Sequence, residues 1–209
     1  ETHGGIQLTP EQGTALQGLF AVILWGELAA WKVSAALANR LEPLEAKLAA
    51  TSQAHDEARH FYVMHEYLER TGAVPKELGP CTEKVLRGTL EAGSLTKQLV
   101  GMQMMVEPMA LALFQLVREA EVEPVLTELL RYYERDEARH VALGVLHLPQ
   151  LLKQMSAVEA VDLWAWEFRE YWNQLGMIRE LEPHFAVLGI DVRDVIRIGR
   201  AKQLRANQM

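Results

Sequence analysis

The pentapeptide Asp-Glu-Ala-Arg-His occurs twice in this chain, at residues 56–60 and again 80 residues later at 136–140. Thirty residues before each motif glutamate stands another glutamate inside an apolar segment, Glu27 in the first copy and Glu107 in the second. The chain therefore contains two copies of one unit, Glu-x29-Glu-x-x-His. Because carboxylates and imidazoles are common metal ligands and the two copies match, the repeat predicts a binding site for two metal ions.

Apolar residues recur at steps of three and four through most of the chain, and no stretch shows the sustained alternation of a β-strand. The pattern predicts an all-α fold in one domain that covers residues 1–209. The predicted helices span about 10–39, 44–70, 82–92, 94–120 and 125–148, followed by one that begins near 156 and one at about 191–205. The glutamates and histidines of the repeat lie on the apolar stripes of the four long helices, where metal-free carboxylates are unusual.

Three sequence details make the helix prediction more specific. Pro108 removes a backbone hydrogen bond in mid-helix, so we expect the helix to kink or widen beside Glu107. Pro149 is expected to end the fourth long helix. The tryptophans of the following segment are expected to cover the bundle or to form a dimer interface; they are Trp164, Trp166 and Trp172.

The spacing within each unit predicts how the helices pair. The lone glutamate and the Glu-x-x-His are equally far from a central turn, which lies at Pro43 in the first unit and at Pro124 in the second. In an antiparallel helix hairpin, residues equally far from the turn lie at the same height. Two such hairpins packed face to face form a four-helix bundle over residues 10–150, with an additional helical extension at 151–209.

Four carboxylates at one level of an apolar core require positive charge nearby. Without it they would repel one another and lose hydration, so they would take up protons or destabilise the bundle. Two divalent cations balance four carboxylates, and oxygen and imidazole nitrogen ligands suit iron or manganese. Two iron ions and a manganese–iron pair would use the same ligands, so the sequence leaves both open.

At this level of detail the chain resembles the ferritin-like di-iron carboxylate superfamily over roughly residues 10–150. The Asp-Glu-x-Arg-His form is most similar to the oxygen-activating branch, which includes bacterial multicomponent monooxygenases, acyl-carrier-protein desaturases and ribonucleotide-reductase small subunits. The resemblance implies catalysis at two iron ions, with molecular oxygen as co-substrate. It also implies a set of metal ligands, which are Glu27, Glu57, His60, Glu107, Glu137 and His140.

The same resemblance implies roles for the other motif residues. Asp136 is expected to hydrogen-bond the distal nitrogen of His60, and Asp56 to do the same for His140. Arg59 and Arg139 would brace these two aspartates. Inward-facing glycines leave room for oxygen or substrate, or allow close helix packing; they are Gly26, Gly101 and Gly144.

Two positions depart from specialised relatives. The radical tyrosine of ribonucleotide reductase follows the first motif histidine by one turn, where this chain has Met64. Aminoarene N-oxygenases add a histidine one turn before the second motif, where this chain has Tyr133. We expect Tyr133 to be a buried residue whose hydroxyl bonds to a nearby carboxylate; the alternative is a hydrogen-bond donor to a metal ligand or a redox-active residue.

Composition restricts the partners and the compartment. The 21 basic and 28 acidic residues give a formal net charge of −7, which argues against nucleic acid as a partner. The single cysteine, Cys81, requires no oxidising compartment. No apolar run approaches the ~20 residues of a membrane span. We therefore expect a cytoplasmic protein. On other grounds we expect a homodimer whose partners are a small apolar substrate and an electron-donor protein.

Three functions fit these observations to different degrees. The best supported is a di-iron oxidase or oxygenase that oxidises an organic, apolar substrate with molecular oxygen. The alternative is a ferroxidase or iron-handling protein, which shares the fold and the ligand set. A non-enzymatic bundle that acts as an interaction module is least favoured, because buried glutamates without metal carry a large desolvation penalty.

Overall fold

The computed structural model describes residues 5–72 and 74–208. All regular secondary structure in these two ranges is helical. The helices are α1 (Pro10–Arg40), α2 (Leu44–Thr71), α3 (Pro80–Leu90), α4 (Leu95–Leu99), a π-helical segment (Val100–Val106), α5 (Glu107–Glu119), α6 (Pro124–Lys153), α7 (Ala157–Val187) and α8 (Val192–Gln208). The all-α prediction is confirmed, and most predicted helix ends lie within a few residues of those observed.

Local signals in the sequence explain where the long helices begin and end. The Thr9 side chain accepts a hydrogen bond from the Gln12 backbone N–H, and the Thr9 backbone N–H donates to the Gln12 side chain, so α1 begins with a capping box. Ser156 and Glu159 form the same arrangement at the start of α7. The left-handed backbone of Gly72, with φ of 118°, ends α2.

Helices α1 and α2 pack along each other as one hairpin, and α5 packs along α6 as the other. Helix α7 covers α1 and α3, while α8 packs on α5. Two apolar clusters fill the bundle, one around Phe20, Phe114 and Phe185 and the other around Leu37 and Met102. Along each of the four long helical stretches, the predicted ligands lie between these two clusters.

The third long helix is widened next to Glu107, as predicted from Pro108. The backbone N–H of Glu107 donates to the carbonyl of Met102, five residues earlier, which is the π-helical pattern. Proline has no amide hydrogen, so Pro108 cannot donate to the carbonyl four residues before it. The wider turn changes which side chains of Val100–Val106 face α2 and α6.

In the C-terminal half the expected helix end at Pro149 was wrong, and the three tryptophans of α7 differ in burial. Helix α6 continues through Pro149 to Lys153, so the one hydrogen bond lost near the end of a 30-residue helix does not stop it. On α7 the aromatic stripe of Trp164, Phe168 and Trp172 faces outward, whereas Trp166 is buried. Both sides of α7 carry apolar residues, so periodicity alone could not identify the buried one.

Within the described parts of the chain, two stretches are long and apolar enough to cross a membrane by length and composition, Pro10–Arg40 and Leu95–Glu119. In their most apolar windows, 61% and 72% of residues are buried inside the bundle. These stretches supply the core of the fold, which accounts for their apolar character.

Candidate dinuclear metal centre

The structure brings all six sequence-predicted ligands together at one level of the bundle. They form two groups, Glu27 with Glu57, His60 and Glu137, and Glu57 with Glu107, Glu137 and His140. Within each group, one ligand atom per residue lies within 4.8 Å of the others. Glu57 and Glu137 belong to both groups, so two ions held here would share two carboxylates. No ligand is more than 5% exposed, so the centre is shielded from bulk water.

The unpaired atoms of the centre fit a bound cation. His60 Nδ1 and Glu57 Oε2 are buried and have no hydrogen-bond partner. His60 Nδ1 nevertheless lies 3.2–3.4 Å from carboxylate oxygens of Glu27, Glu57 and Glu137. Buried polar atoms are almost always paired, and a cation among these oxygens would pair with the nitrogen lone pair. The donor set therefore fits a metal ion.

The second histidine contacts two of the same carboxylates. His140 Nδ1 lies 2.6 Å from Glu137 Oε2 and 3.0 Å from Glu57 Oε1. Burial lowers the pKa of His140, but the charge of Glu137 and hydrogen bonds to Glu137 and Glu57 outweigh it and raise the pKa to about 10. Burial also lowers the pKa of His60, but the neighbouring glutamates outweigh this effect, so the pKa of His60 is raised as well.

Without metal, the four carboxyl groups of the centre form two pairs whose pKa values shift in opposite directions. Burial and the negative charges nearby raise the pKa of Glu27 and Glu107 well above the usual range. Burial also acts on Glu57 and Glu137, but the histidines outweigh it and lower their pKa. Protons therefore occupy the metal-free centre, and binding of divalent cations would displace them.

The two motif aspartates lie behind the histidines, as the resemblance implied. Asp136 Oδ2 lies 3.4 Å from His60 Nε2, and Asp56 Oδ2 lies 3.5 Å from His140 Nε2. Arg59 donates to both aspartates at 2.8 Å. Arg139 contacts the same two carboxylates at 2.9–3.0 Å. The two motifs thus form one crossed network in which each arginine links the aspartates of both hairpins.

Tyr133 has a different partner from the one expected. Its hydroxyl donates to the backbone carbonyl of His60 at 2.6 Å, not to a carboxylate. Its ring stacks on the imidazole of His60 with centroids 4.1 Å apart. A backbone carbonyl has no sequence signature, so this partner could not be read from residue types. Burial, with the charges of Glu27 and Glu137, raises the pKa of Tyr133, which therefore stays protonated.

Two glutamines at the centre were not assigned a role from the sequence. Gln53 Nε2 donates to Glu57 Oε1 at 2.9 Å and to Glu107 Oε1 at 2.8 Å. Gln103 Nε2 in turn donates to Gln53 Oε1 at 3.0 Å. The position of Gln53 one turn before Glu57 on the same face was a usable signal. The position of Gln103 depends on the π-helical segment and had no signal of its own.

The three inward-facing glycines serve the two purposes expected of them, close helix packing and open space. A Cβ on Gly144 would lie 2.6 Å from the Cβ of Gln103, so this glycine allows α6 to approach the π-helical segment. A Cβ on Gly101 would meet Thr89 and Trp166 at 2.8–2.9 Å. A Cβ on Gly26 would meet nothing within 4 Å. Gly26 therefore borders open space, and the other two serve close packing.

The open space at Gly26 is an apolar pocket that reaches the centre. It encloses about 40 Å³ of free space, and Glu27 and Glu107 form part of its wall. Most of the remaining wall is apolar and includes Val22, Leu86, Met109, Leu113 and Met177. Methionine side chains are flexible, so a narrow pocket lined by them can adapt to its ligand.

No protein-family model matches the chain, and no curated protein sequence matches it. Solved structures do match it. One is described as protein 19 with aldehyde deformylating oxidase activity from Synechococcus; the TM-score is 0.78 at 17% identity, over 96% of this chain and 91% of that one. Two others are of a tyrosine-to-phenylalanine mutant of R2-like ligand-binding oxidase, with aerobically or anaerobically reconstituted Mn/Fe cofactor. Each has a TM-score of 0.69 at 18% identity, over 94% of this chain and 82% of that one.

These likenesses confirm the fold predicted from the sequence. The chain is an all-α, ferritin-like helical bundle, and the similarity covers the C-terminal helices as well as the four-helix core. At 17–18% identity the likeness shows the fold alone.

Proposed function

We propose that this protein is a non-haem dinuclear metal oxidase or oxygenase that uses molecular oxygen to oxidise a small, mainly apolar organic molecule. The observation that carries the proposal is the arrangement of two ligand groups that share Glu57 and Glu137 in the wall of an apolar pocket. A site that handled only metal ions would have no use for that pocket.

The residues would divide the two ions between them. Glu27 and His60 would complete one site, Glu107 and His140 the other, with Glu57 and Glu137 shared. When bound, the ion pair supplies the redox chemistry of oxygen activation. The donor set suits two iron ions or a manganese–iron pair, and the Mn/Fe cofactor of a structural neighbour supports considering the second.

The chain's own residues would orient, shield and hold protons. Asp136 and Asp56 would accept hydrogen bonds from the Nε2–H groups of the two histidines, which leaves each Nδ1 free to face a metal ion. Arg59 and Arg139 fix the aspartates from both hairpins. The buried setting excludes bulk water, so a reactive oxidant would meet the pocket's ligand and not solvent.

The comparisons support an oxidase without identifying its substrate. The neighbours are named as oxidases, and this chain covers most of their length. The aldehyde named for one neighbour and the ligand binding named for the other are consistent with a small molecule in the apolar pocket. An electron-donor protein is a further proposed partner, because oxygen activation consumes electrons that the chain itself does not supply.

We also propose a cytoplasmic homodimer that forms through α7. Trp164, Phe168 and Trp172 are 52–65% exposed and contact one another along one face of this helix. Exposed apolar patches of this kind often mark protein contacts. Sedimentation of the chain with Trp164→Ser and Trp172→Ser substitutions should give a monomer if this face forms the dimer.

Iron loading and oxygen uptake test the proposed function. Anaerobic addition of iron(II) should give about two ions per chain, and oxygen should then be consumed with a change in the absorption spectrum. Glu107→Ala should lose metal and oxygen uptake together. Glu77→Ala, at an exposed position away from the centre, is the matched control and should retain both.

Full metal binding and oxygen uptake by Glu107→Ala would contradict the proposal. Mineralised iron in far greater amount than two ions per chain would instead favour the iron-handling alternative. Assembly into a large shell, seen by size-exclusion chromatography, would point the same way.

A further inference from the structure

The apolar pocket contains one polar side chain that does not belong to the metal centre. Gln174 of α7 lines the pocket, and only 2% of its surface is exposed. The other polar lining residues are Glu27 and Glu107, which are both assigned to the centre. Burial of an amide in an apolar wall is unfavourable unless its donors and acceptor are paired.

The orientation of this amide follows from its neighbours. Gln203 Nε2 of α8 donates to the backbone carbonyl of Met105 at 3.0 Å. A carbonyl oxygen only accepts, so the nitrogen of the Gln203 amide must face it. The same nitrogen lies 2.9 Å from Gln174 Oε1 and donates its second hydrogen there. The oxygen of Gln174 is therefore the atom that faces Gln203.

The nitrogen of Gln174 is left as a free donor. Its amide has a hydrogen bond only through Oε1 among the residues at 5–72 and 74–208. A flip of the amide would place two nitrogens against each other and lose the bond to Gln203, so the N–H groups are held away from α8. The nitrogen keeps some accessible surface, since it is not one of the fully buried atoms without a partner, so a ligand in the pocket could accept its hydrogen bond.

We propose that Gln174 Nε2 binds an acceptor oxygen of the pocket's ligand, and that Gln203 is the positioning residue that orients it. The ligand class is then a mainly apolar molecule that carries a carbonyl, ether or hydroxyl oxygen apart from the carbon that reacts at the metal centre. The inference rests on the proposed function, since only that function makes the pocket's ligand the molecule that is oxidised.

Binding of two probes of equal shape tests the inference. The probes are 2-pentanone and 2-methyl-1-pentene, which differ in having a carbonyl oxygen or a methylene group at the same position. The 209-residue chain is loaded with zinc, which is diamagnetic and does not react with oxygen. Carbon-13 methyl signals of Met109 and Met177, both pocket residues, report binding.

Gln174→Met removes the donor and keeps the length of the side chain. The preference for the ketone over the alkene should fall by about three- to tenfold relative to the unsubstituted chain, the range of one hydrogen bond. Alkene affinity should stay within about twofold. Gln154→Met, at an exposed position, is the matched control and should change neither value.

An unchanged preference in Gln174→Met would overturn the proposal. An equal loss of affinity for both probes would also overturn it, because Gln174 would then be a packing residue. If Gln174→Met fails to fold, the unsubstituted chain still gives a result: the Gln174 side-chain amide protons should shift downfield with 2-pentanone and not with 2-methyl-1-pentene. The same response to both probes would count against the inference.

Failure here and failure of the proposed function are distinguishable. The probe measurement needs no oxidation, so a chain that shows the expected preference but consumes no oxygen would retain the donor site and lose the oxidase assignment. A chain that binds two ions and consumes oxygen without the preference would retain the oxidase assignment and lose the role of Gln174.

Discussion

Tyr133 contacts His60 at two points: its ring lies on the imidazole with centroids 4.1 Å apart, and its hydroxyl donates to the His60 backbone carbonyl at 2.6 Å. One residue of α6 thus fixes both the side chain and the main chain of a predicted ligand on α2. This contact, with the Asp136 carboxylate behind the same imidazole, sets the direction of His60 Nδ1 before any metal binds.

Tyr133→Phe should separate these two contacts. The phenyl ring keeps the stacking, whereas the carbonyl of His60 loses one of its two donors and keeps its helical one, so the free energy of unfolding should fall by about 0.5–1.5 kcal/mol. Two ions per chain should still bind. Urea unfolding measures the change, with Tyr132→Phe at a half-exposed position as the control. Equal stability of Tyr133→Phe and the control would mean that the hydroxyl does not support the ligand's backbone.

Gln53→Leu should weaken the two metal sites unequally. Gln53 bonds to Glu57, which both groups share, and to Glu107, which belongs only to the group with His140. Loss of a residue that orients ligands typically lowers metal affinity by roughly 10–100-fold. Competition with a chelator should resolve two metal-binding steps. We expect the weaker step to lose affinity by that factor and the other step to lose less. Two equally affected steps would show that Gln53 does not act through Glu107.

Gly26→Leu should fill the pocket and spare the metal centre. A side chain at this position projects into space that is open for at least 4 Å, and helix α1 tolerates leucine better than glycine. Binding of 2-methyl-1-pentene should weaken by roughly tenfold or more, because the wall is then overpacked whenever the ligand is present. Gly26→Ala is the conservative control. Retained probe binding in Gly26→Leu would place the ligand elsewhere.

Stability of the metal-free protein should fall as the pH rises from 6.5 to 9. The pKa of His140 is raised to about 10 and that of His60 is also raised, so their stabilising contribution is complete below about 6.5 and is lost toward 10. The raised pKa values of Glu27 and Glu107 act in the same direction, since their buried charged forms are disfavoured as protons leave.

Zinc should reverse most of that loss, because the ions replace the displaced protons. The stabilisation given by zinc, measured by urea unfolding with and without the metal, should therefore increase between pH 6.5 and pH 9. Parallel pH profiles with and without zinc would contradict this account of the centre.

Much of the bundle and the convergence of its six polar residues could be predicted, because both depend on spacing. The offset of Glu27 and Glu57 from their turn determines their height in the hairpin, whatever the details of packing. The widened turn before Glu107 was also predictable, since Pro108 lacks a donor that an α-helix requires.

Other features depend on three-dimensional surroundings that spacing does not encode. Pro149 stays within α6 because the packing of a 30-residue helix outweighs one lost hydrogen bond, and that packing was not known in advance. Trp166 is buried while Trp164 is not, because the bundle covers only one of two apolar sides of α7. The roles of Gln103 and Gln174 arise from contacts across helices, in one case through the π-helical register and in the other through a residue of α8.

The central claim is that two metal ions share Glu57 and Glu137. A crystal of the iron-loaded protein, measured on both sides of the iron absorption edge, tests it most directly. We predict two anomalous peaks about 3.5–4 Å apart, the usual separation in two-metal sites, one beside His60 and one beside His140. A single peak, or none between these histidines, would contradict the claim.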